Sequence, residues 1–269
     1  MKFTILGSTG FIGASMLRHL QKQGFEVNIP ERNAKNLHGE DLGHVIYAIG
    51  LTGDFRENPD AAIEAHVHVL QKLMKDARFE SWLYLSSTRV YSGLHAGTEA
   101  TEETSLPVRP SADALYDLSK LLGESICLGK GNPAIRVARL SNVYGPGQSS
   151  HTFLGSIIAE LKKTGKTIIN ESPESSKDYI SIDDVTSILQ VIATKGKDRL
   201  YNVASGNPVT HRAIADSIKK CGYTVDFSAK APTRAFPSVN TAKIVKEFGI
   251  NPRSVLQDLP LLLEKETKK

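Results

Sequence analysis

The feature that most restricts the fold of this chain is a strand, a glycine turn and a helix at its amino end. Residues 2–6, KFTIL, form a short apolar strand, and a helix-like pattern follows that ends at Gly24. Between them Gly7, Gly10 and Gly13 recur at every third position. Glycine tolerates the dihedral angles of a tight turn and lets a ligand approach the backbone closely. This placement favours a site where a dinucleotide pyrophosphate meets the first amide groups of the helix.

The candidate cofactor is NAD or NADP, and neighbouring residues favour different members of this pair. Glu31, about 20 positions after the glycines, can bridge the ribose hydroxyls of NAD. Arg32 beside it can instead hold the 2′-phosphate of NADP, so both cofactors stay open. Ser8 and Thr9 can add hydroxyl donors to the phosphates. The cofactor-binding residues we predict here are Gly7, Ser8, Thr9, Gly10, Phe11, Ile12, Gly13, Glu31, Arg32, Ala48 and Gly50.

Apolar runs alternate with helix-like segments over the first two thirds of the chain. The runs after the first strand are FEVNI, HVIYAIG, SWLYLSS, PAIRVARLS and LYNVAS. A helix with an apolar face is predicted to begin at Pro59, since Ile63, Val67, Leu70 and Met74 recur at helical spacing. Alternation of this kind predicts an α/β fold with a doubly wound parallel sheet, the Rossmann arrangement.

The carboxyl-terminal part differs in character. From Thr210 onward, two helix-like segments flank the irregular, proline-marked stretch YTVDFSAKAPTRAFPSVN. We therefore predict a dinucleotide-binding Rossmann domain from residues 1–144 and 178–204. A smaller substrate-binding lobe is predicted from residues 145–177 and 205–269.

Composition excludes several classes of protein. The chain has 269 residues, 40% of them hydrophobic, which suffices for one large core with a smaller lobe. Its net charge of +4 is spread without blocks of like charge, so we expect no nucleic-acid partner. No apolar run is long enough to span a membrane, and Cys127 and Cys221 do not form a metal-type pair. We predict a cytoplasmic protein with no membrane partner and no metal.

The stretch ALYDLSK places Tyr116 and Lys120 on one face of a predicted helix. A phenol has an ordinary pKa near 10 and is a poor base at neutral pH, so it needs a positive neighbour to favour the phenolate. Lys120 is placed to be that neighbour. The phenolate can then take a proton from a substrate alcohol while hydride leaves the same carbon. Upstream, LYLSSTRVY ends an apolar strand at the edge where a doubly wound sheet presents groups to its ligand.

Five motifs, taken together and in this order, resemble those of a known family. The segments GSTGFIG, YLSSTRVYS, YDLSKLLGE, RLSNVYGPG and KDYISIDDV follow one another over nearly the whole chain. In this combination the chain resembles the extended short-chain dehydrogenase/reductases, and in particular the NAD(P)-dependent nucleotide-sugar epimerases, dehydratases and ketoreductases.

The resemblance implies a role for each matching residue. It makes Tyr116 the acid/base, Lys120 the group that lowers the Tyr116 pKa and holds the nicotinamide ribose, and Ser87 the hydroxyl that positions the sugar. Thr88 is a neighbour that can share this last role. Lys177 stands where relatives commonly carry arginine, which would grip a diphosphate with two prongs. The substrate-binding set implied is Ser87, Thr88, Asn142, Lys177, Lys230 and Arg234, and the substrate implied is a nucleotide-sugar.

The chain also departs from the family pattern. Only NAKNLHGEDLG stands where relatives have a helix and a strand with an adenine-binding aspartate, and Asp41 is the residue we assign to that role. His66 replaces an asparagine, and we interpret His66 and His68 as ordinary helix residues. The resemblance also implies a homodimer, in which the apolar stripe Leu115, Leu118, Leu122 and Ile126 faces a partner or packs on its own sheet.

The reaction stays open between two chemistries. Family dehydratases carry an aspartate and a glutamate where this chain has Thr88 and Arg89, so we do not expect a dehydratase. Epimerisation and ketone reduction need only the phenol, the hydroxyl and the cofactor. Glu31 favours NAD and an epimerase, whereas the shortened adenine region favours an exchangeable cofactor and a reductase. A third alternative is a non-catalytic NAD(P) sensor or scaffold.

Overall fold

The computed structural model describes residues 1–31, 37–51, 58–95, 97–234 and 236–264. Its strands are β1 (Lys2–Leu6), β2 (Glu26–Asn28), β3 (His44–Tyr47), β4 (Ser81–Ser87), β5 (Glu99–Ala100), β6 (Ile135–Leu140), β7 (Asn142–Tyr144), β8 (Lys166–Ile169), β9 (Ser176–Lys177), β10 (Tyr179–Ser181), β11 (Leu200–Val203), β12 (Val209–Thr210), β13 (Thr224–Phe227) and β14 (Ser238–Val239). Its α-helices are α1 (Phe11–Lys22), α2 (Pro59–Ile63), α3 (Val69–Lys75), α4 (Leu115–Gly129), α5 (Phe153–Thr164), α6 (Ile182–Lys195), α7 (His211–Lys220), α8 (Ala242–Phe248) and α9 (Val255–Leu263). A π-helical turn at Glu64–His68 joins α2 to α3, and 3-10 turns span Thr88–Tyr91 and Ala112–Ala114.

The central sheet has the strand order β11-β6-β4-β3-β1-β2, and all of its pairings are parallel. Strands such as β3 are buried along their whole length, because helices cover both faces of a parallel sheet. The predicted doubly wound α/β fold is thus confirmed. From β1 the chain runs first to the edge strand β2 and then crosses back to β3. The strand order therefore reverses between β1 and β3, where open α/β sheets bind their ligands beyond the carboxyl ends of the strands.

Apolar side chains fill a core on each face of this sheet. One core contains Phe3 and Ile5 of β1 with Met16 of α1 and Ile188 of α6. The other packs Tyr47, Trp82 and Tyr84 against α3 and α4. Burying one such aliphatic side chain stabilises the fold by ~1.5–3 kcal/mol. These two layers fix the directions in which β1, β3 and β4 deliver their carboxyl ends.

A third apolar core lies under the segments predicted to form the smaller lobe. It joins α5, β8, α7, β13 and α9 with Tyr144 and Tyr179. The prediction that residues 223–240 are irregular is wrong in part, because β13 lies inside this stretch and pairs in parallel with β8. Ile244 of α8, however, packs in the core of the central sheet. The division into two domains stays a prediction.

Within the described ranges, each helix is too short or too polar to cross a lipid bilayer.

Candidate active site

The glycine turn between β1 and α1 is packed too tightly for larger residues. Gly7 has a φ of 92°, and a side-chain carbon there would lie 2.8 Å from the backbone carbonyl of Ala48. On Gly13 the same carbon would lie 2.1 Å from the Gly7 carbonyl oxygen. The Gly10 amide donates a hydrogen bond to that oxygen at 3.1 Å, which closes the turn. Positions 7 and 13 therefore require glycine for the backbone to fold in this way.

The amino end of α1 fits a phosphate group. Gly10 is the residue that caps the helix, and in the described structure no side chain accepts a bond from the first helical amides. The first turn of α1 also carries no acidic residue. These amides and the positive end of the helix dipole would attract an anion. Ser8 and Thr9 flank this end, and Phe11 and Ile12, the first helical residues, are partly buried.

The structure brings most of the other predicted cofactor residues to the same edge of the sheet. Ala48 and Gly50 follow β3, and the Ala48 amide donates to the Leu6 carbonyl at 2.8 Å. Glu31 follows β2 and is exposed. Arg32 lies outside the described residues.

Asp41 is placed differently. It precedes β3, at the amino edge of the sheet opposite the glycine turn, and its carboxylate accepts a bond from the Gly43 amide at 3.2 Å. The reason is the direction of β3: residues before a parallel strand lie at one edge and residues after it at the other. The structure does not bring Asp41 to the edge occupied by the glycine turn.

Tyr116 lies in the first turn of α4, with its ring buried between two elements. Its side chain hydrogen-bonds with the Ser87 hydroxyl at the end of β4. The guanidinium carbon of Arg89 lies 5.6 Å from the ring centroid, and Arg89 Nε donates to the Asp117 carboxylate at 2.9 Å. Burial raises the pKa of Tyr116 to about 12, while the bond with Ser87 and the charge of Arg89 oppose this rise. The hydroxyl is therefore protonated at neutral pH in the cofactor-free protein.

Lys120 lies one helical turn further along α4, on the same face. Its side chain is buried, and Nζ donates a hydrogen bond to the Leu85 carbonyl at 2.9 Å. Nζ lies 5.9 Å from the Tyr116 ring centroid. Burial lowers the pKa of Lys120 to about 7, and the nearby Glu124 opposes this change. The spacing in the sequence correctly predicts that the two side chains lie together, but it does not reveal that Arg89 is a second cation beside the phenol.

His66 is a member of this site that the sequence interpretation missed. It lies in the π-helical turn and is fully buried, and its ring packs edge-to-face on the Tyr116 ring with the two centroids 5.4 Å apart. A side-chain carbon on Gly50 would lie 3.2 Å from His66 Nε2 and 3.4 Å from Lys120 Nζ, so both nitrogens converge beside Gly50. His68, in contrast, is exposed and pairs with Glu64, as an ordinary helix residue does.

Hydrogen bonds fix the tautomer of His66. The Ser119 hydroxyl donates to the Tyr116 carbonyl at 2.8 Å, so its oxygen accepts from His66 Nδ1 at 2.9 Å. Nε2 is then the acceptor for the Leu51 amide at 3.3 Å. Burial and the charge of Lys120 lower the pKa of His66 to about 3, which keeps the ring neutral. His66 thus fastens the loop after β3 to α4.

The predicted substrate residues divide between two places. Ser87 and Thr88 lie at the end of β4, beside Tyr116. Asn142 begins β7, and its side-chain amide donates to the Asp178 carbonyl at 2.8 Å, next to Lys177. Arg234 lies near enough for its charge to help lower the pKa of Lys177, of which burial is the larger cause. Lys230 lies in an exposed turn with a φ of 58°.

Comparison with known proteins places this geometry in a family. The profile of the NAD dependent epimerase/dehydratase family matches residues 3–204. ADP-L-glycero-D-manno-heptose-6-epimerase of Brachyspira hyodysenteriae is 28% identical over 169 residues, which cover 61% of this chain and 52% of that protein. The chain therefore spans about half the length of this relative.

Solved structures extend the likeness of fold to nearly the whole chain. MoeE5 in complex with UDP-glucose and NAD superposes with a TM-score of 0.79 at 19% identity, covering 98% of this chain and 97% of that one. RMD from Pseudomonas aeruginosa complexed with NADPH gives a TM-score of 0.75 at 21% identity, covering 97% of each chain. Both relatives bind a nicotinamide cofactor. The resemblance drawn from the five motifs is confirmed, and this chain belongs to the NAD dependent epimerase/dehydratase family.

Proposed function

We propose that this protein is an NAD(P)-dependent oxidoreductase that epimerises a nucleotide-diphosphate sugar, with Tyr116 as the acid/base. The observation that carries the proposal is the buried Tyr116 hydroxyl, hydrogen-bonded with Ser87. It lies at the same carboxyl edge of the sheet as the glycine turn. A proton-transferring group and a dinucleotide cradle are thus presented to one crevice.

The chain's own residues would move and hold the proton. The Ser87 hydroxyl would orient a substrate hydroxyl toward Tyr116 Oη, which takes its proton. Arg89 favours the phenolate because its charge lowers the pKa of Tyr116, and Lys120, with Nζ 5.9 Å from the ring centroid, would add to this effect when it is protonated. When bound, the nicotinamide cofactor supplies the hydride acceptor and adds positive charge in its oxidised form. His66 would hold the Leu51 loop, and thereby Gly50, in place beside Lys120.

The glycine turn is the part of the chain proposed to hold the cofactor. Gly7 and Gly13 permit the tight turn that would present the uncapped amino end of α1 to a pyrophosphate. Relatives bind NAD or NADPH. The exposed Glu31 after β2 supports NAD, and with it an epimerase that retains its cofactor.

Two residues near Tyr116 argue against a dehydratase. In place of the carboxylates expected of a dehydratase, this chain has Thr88 and Arg89, and the Arg89 guanidinium is engaged by Asp117. A ketoreductase is the second candidate. It is favoured by the short connection of residues 29–43 between β2 and β3, which would leave the adenine end more open to exchange.

The cofactor carried by the purified protein distinguishes the candidates. The protein would be denatured, the released nucleotide identified, and the intact protein then assayed with nucleotide-sugars. Bound NAD with epimerisation supports the epimerase. Protein without nucleotide that oxidises NADPH with a keto-sugar nucleotide supports the reductase. Cofactor binding without any turnover, unchanged in Tyr116→Phe, would instead identify a sensor or scaffold.

We also propose a homodimer through the outer face of α4. Leu122 on this face is 50% exposed, and Leu115 and Leu118 are only partly buried. Leu122→Glu would place a charge in that interface, and sedimentation should then detect monomer. An unchanged sedimentation coefficient for this variant would argue against the α4 interface.

A further inference from the structure

A compact cluster of charged and aromatic side chains surrounds Lys177, away from Tyr116. We name it the Lys177 cluster, and its members are Phe153, Glu171, Lys177 and His211. Phe153 begins α5 and His211 begins α7, while Glu171 lies in the loop between β8 and β9. Three separate parts of the chain thus meet around one ammonium group, which the sequence could not reveal.

The Lys177 ammonium already has a counter-ion. Nζ donates to the Glu171 carboxylate at 3.1 Å and lies 4.1 Å from the Phe153 ring centroid. The exposed fractions of the two side chains are 12% for Lys177 and 16% for Glu171. Water and salt screen the attraction within a shielded pair of this kind less than within a surface pair. The cation proposed to meet a diphosphate is therefore neutralised by the protein itself.

The same carboxylate has a second potential partner. Glu171 Oε2 is buried and has no hydrogen-bond partner in the described structure, and it lies 3.8 Å from His211 Nδ1. The His211 ring is fully buried and stacks on Phe153 at 4.2 Å, and neither of its nitrogens has a described partner. Buried polar atoms are usually paired, so two unpaired atoms that lie only 3.8 Å apart call for an explanation. A movement of about 1 Å would make a Glu171–His211 hydrogen bond.

We propose that Glu171 competes with the substrate's phosphate for Lys177 and transfers to His211 when that anion binds. This inference rests on the proposed function and on the role of Lys177 at the diphosphate that the family resemblance implies. An arriving phosphate would take the ammonium and repel the Glu171 carboxylate. The His211 ring, whose Nδ1 lies 3.8 Å from Glu171 Oε2, would then donate a hydrogen bond to the displaced carboxylate. Glu171 thus sets how tightly the protein holds its substrate.

The exchange would also change the charge of His211. The groups that face His211 are the charged Glu171 from the β8–β9 loop, the charged Lys177 from β9 and the uncharged Phe153 from α5. Burial and the charge of Lys177 lower the pKa of His211 to about 4, and Glu171 opposes them. Neutralising Lys177 with an anion and moving Glu171 closer both favour the protonated ring. Anion binding should therefore be accompanied by protonation of His211.

The test compares two glutamates of one loop. Binding of inorganic pyrophosphate is measured by calorimetry for wild type, Glu171→Gln and the matched control Glu174→Gln. Glu174→Gln removes the same charge, but Glu174 is exposed and pairs with Arg212. Removing a like charge next to the anion should tighten binding about tenfold in Glu171→Gln, and Glu174→Gln should stay within about twofold of wild type. The gain should vanish when Lys177→Met is added.

Equal affinities of wild type and Glu171→Gln, or a gain that survives Lys177→Met, would overturn the inference. If Glu171→Gln does not fold, nitrogen-15 spectra of the histidine rings in wild type replace it, with His211 identified by its loss in His211→Gln. Saturating pyrophosphate should move the His211 signals toward those of a protonated ring. Unchanged signals at saturation would contradict the inference.

The proposed function can fail separately. Tighter pyrophosphate binding in Glu171→Gln, together with a wild-type protein that turns over no nucleotide-sugar, would refute the function and leave the competition standing. Normal turnover with unchanged pyrophosphate affinity in Glu171→Gln would refute only the competition.

Discussion

Replacing Lys120 by methionine is expected to stabilise the cofactor-free protein while removing its activity. Burial lowers the pKa of Lys120 to about 7, whereas a lysine in an unfolded chain has a pKa of about 10.4. Each pKa unit corresponds to ~1.4 kcal/mol, so at neutral pH this amine opposes folding by ~4–5 kcal/mol. Methionine has a similar length and no charge.

The substitution also removes a favourable contact. The Leu85 carbonyl accepts the Nζ hydrogen bond at 2.9 Å, and leaving a buried acceptor unpaired is worth ~1–3 kcal/mol against the variant. The net increase in the free energy of unfolding is therefore ~2–3 kcal/mol. For a chain of this size, this corresponds to a rise in Tm of roughly 5–10 °C.

The free energy of unfolding should depend on pH through Lys120. Because the folded pKa of Lys120 lies below the unfolded value, the unfolded chain binds more protons between about pH 7 and about pH 10. The stability of wild type should therefore rise from near pH 7 to near pH 9, by ~2–3 kcal/mol from this group. In Lys120→Met this increment should be missing.

Urea unfolding at several pH values measures both quantities. Lys130→Met is the matched control, since Lys130 is exposed at the end of the same helix and should change stability by no more than ~0.5 kcal/mol. A Lys120→Met protein that is less stable than wild type near neutral pH, and that keeps the wild-type rise toward pH 9, would show that burial of the Lys120 amine does not oppose folding.

Other substitutions test the remaining parts of the site. Gly13→Ala, whose new carbon would lie 2.1 Å from a backbone oxygen, should lose ~3 kcal/mol or more of stability and all cofactor binding, measured by unfolding and titration. Gly10→Ala, with its nearest atom at 3.6 Å, should fold normally. His66→Asn should lose less stability in acid than wild type does. The pKa of His66 is about 3 in the folded protein and higher in the unfolded chain. Wild type therefore loses ~2 kcal/mol of its free energy of unfolding through this ring between about pH 7 and about pH 5. Glu124→Gln should lower the free energy of unfolding in urea by ~3–5 kcal/mol, because it leaves the buried Arg139 without its paired carboxylate at 2.7 Å. A free energy of unfolding that falls with acid as steeply in His66→Asn as in wild type would contradict the assignment of His66. A Glu124→Gln protein as stable as wild type would contradict that of Glu124.

Features set by local spacing could be predicted from the sequence. The glycine period at positions 7, 10 and 13 determines a turn whose geometry depends on a few consecutive residues. Tyr116 and Lys120 share a face because helical geometry places residues i and i+4 together. The alternation of apolar runs with helix patterns predicts a parallel sheet, since parallel strands need crossover connections.

Features set by packing between distant segments could not be predicted. Arg89 contacts Asp117, and His66 contacts Ser119, only because α4 packs against elements that precede it by many residues. One signal for His66 was available: it shares the helical face of Ile63 and Leu70, which predicts burial. β13 was missed because its partner, β8, lies far away in the sequence, and strand pairing of that kind leaves no local trace.

The turnover of Tyr116→Phe measures directly whether the Tyr116 hydroxyl is the acid/base. The phenylalanine ring keeps the packing of the buried site and removes only the hydroxyl that bonds with Ser87. Turnover of the nucleotide-sugar should fall at least ~100-fold while cofactor affinity stays within about twofold of wild type. Tyr201→Phe is the control, since that hydroxyl bonds with Glu247 instead, and its turnover should not change. Near-normal turnover in a folded, cofactor-binding Tyr116→Phe protein would show that Tyr116 is not the acid/base.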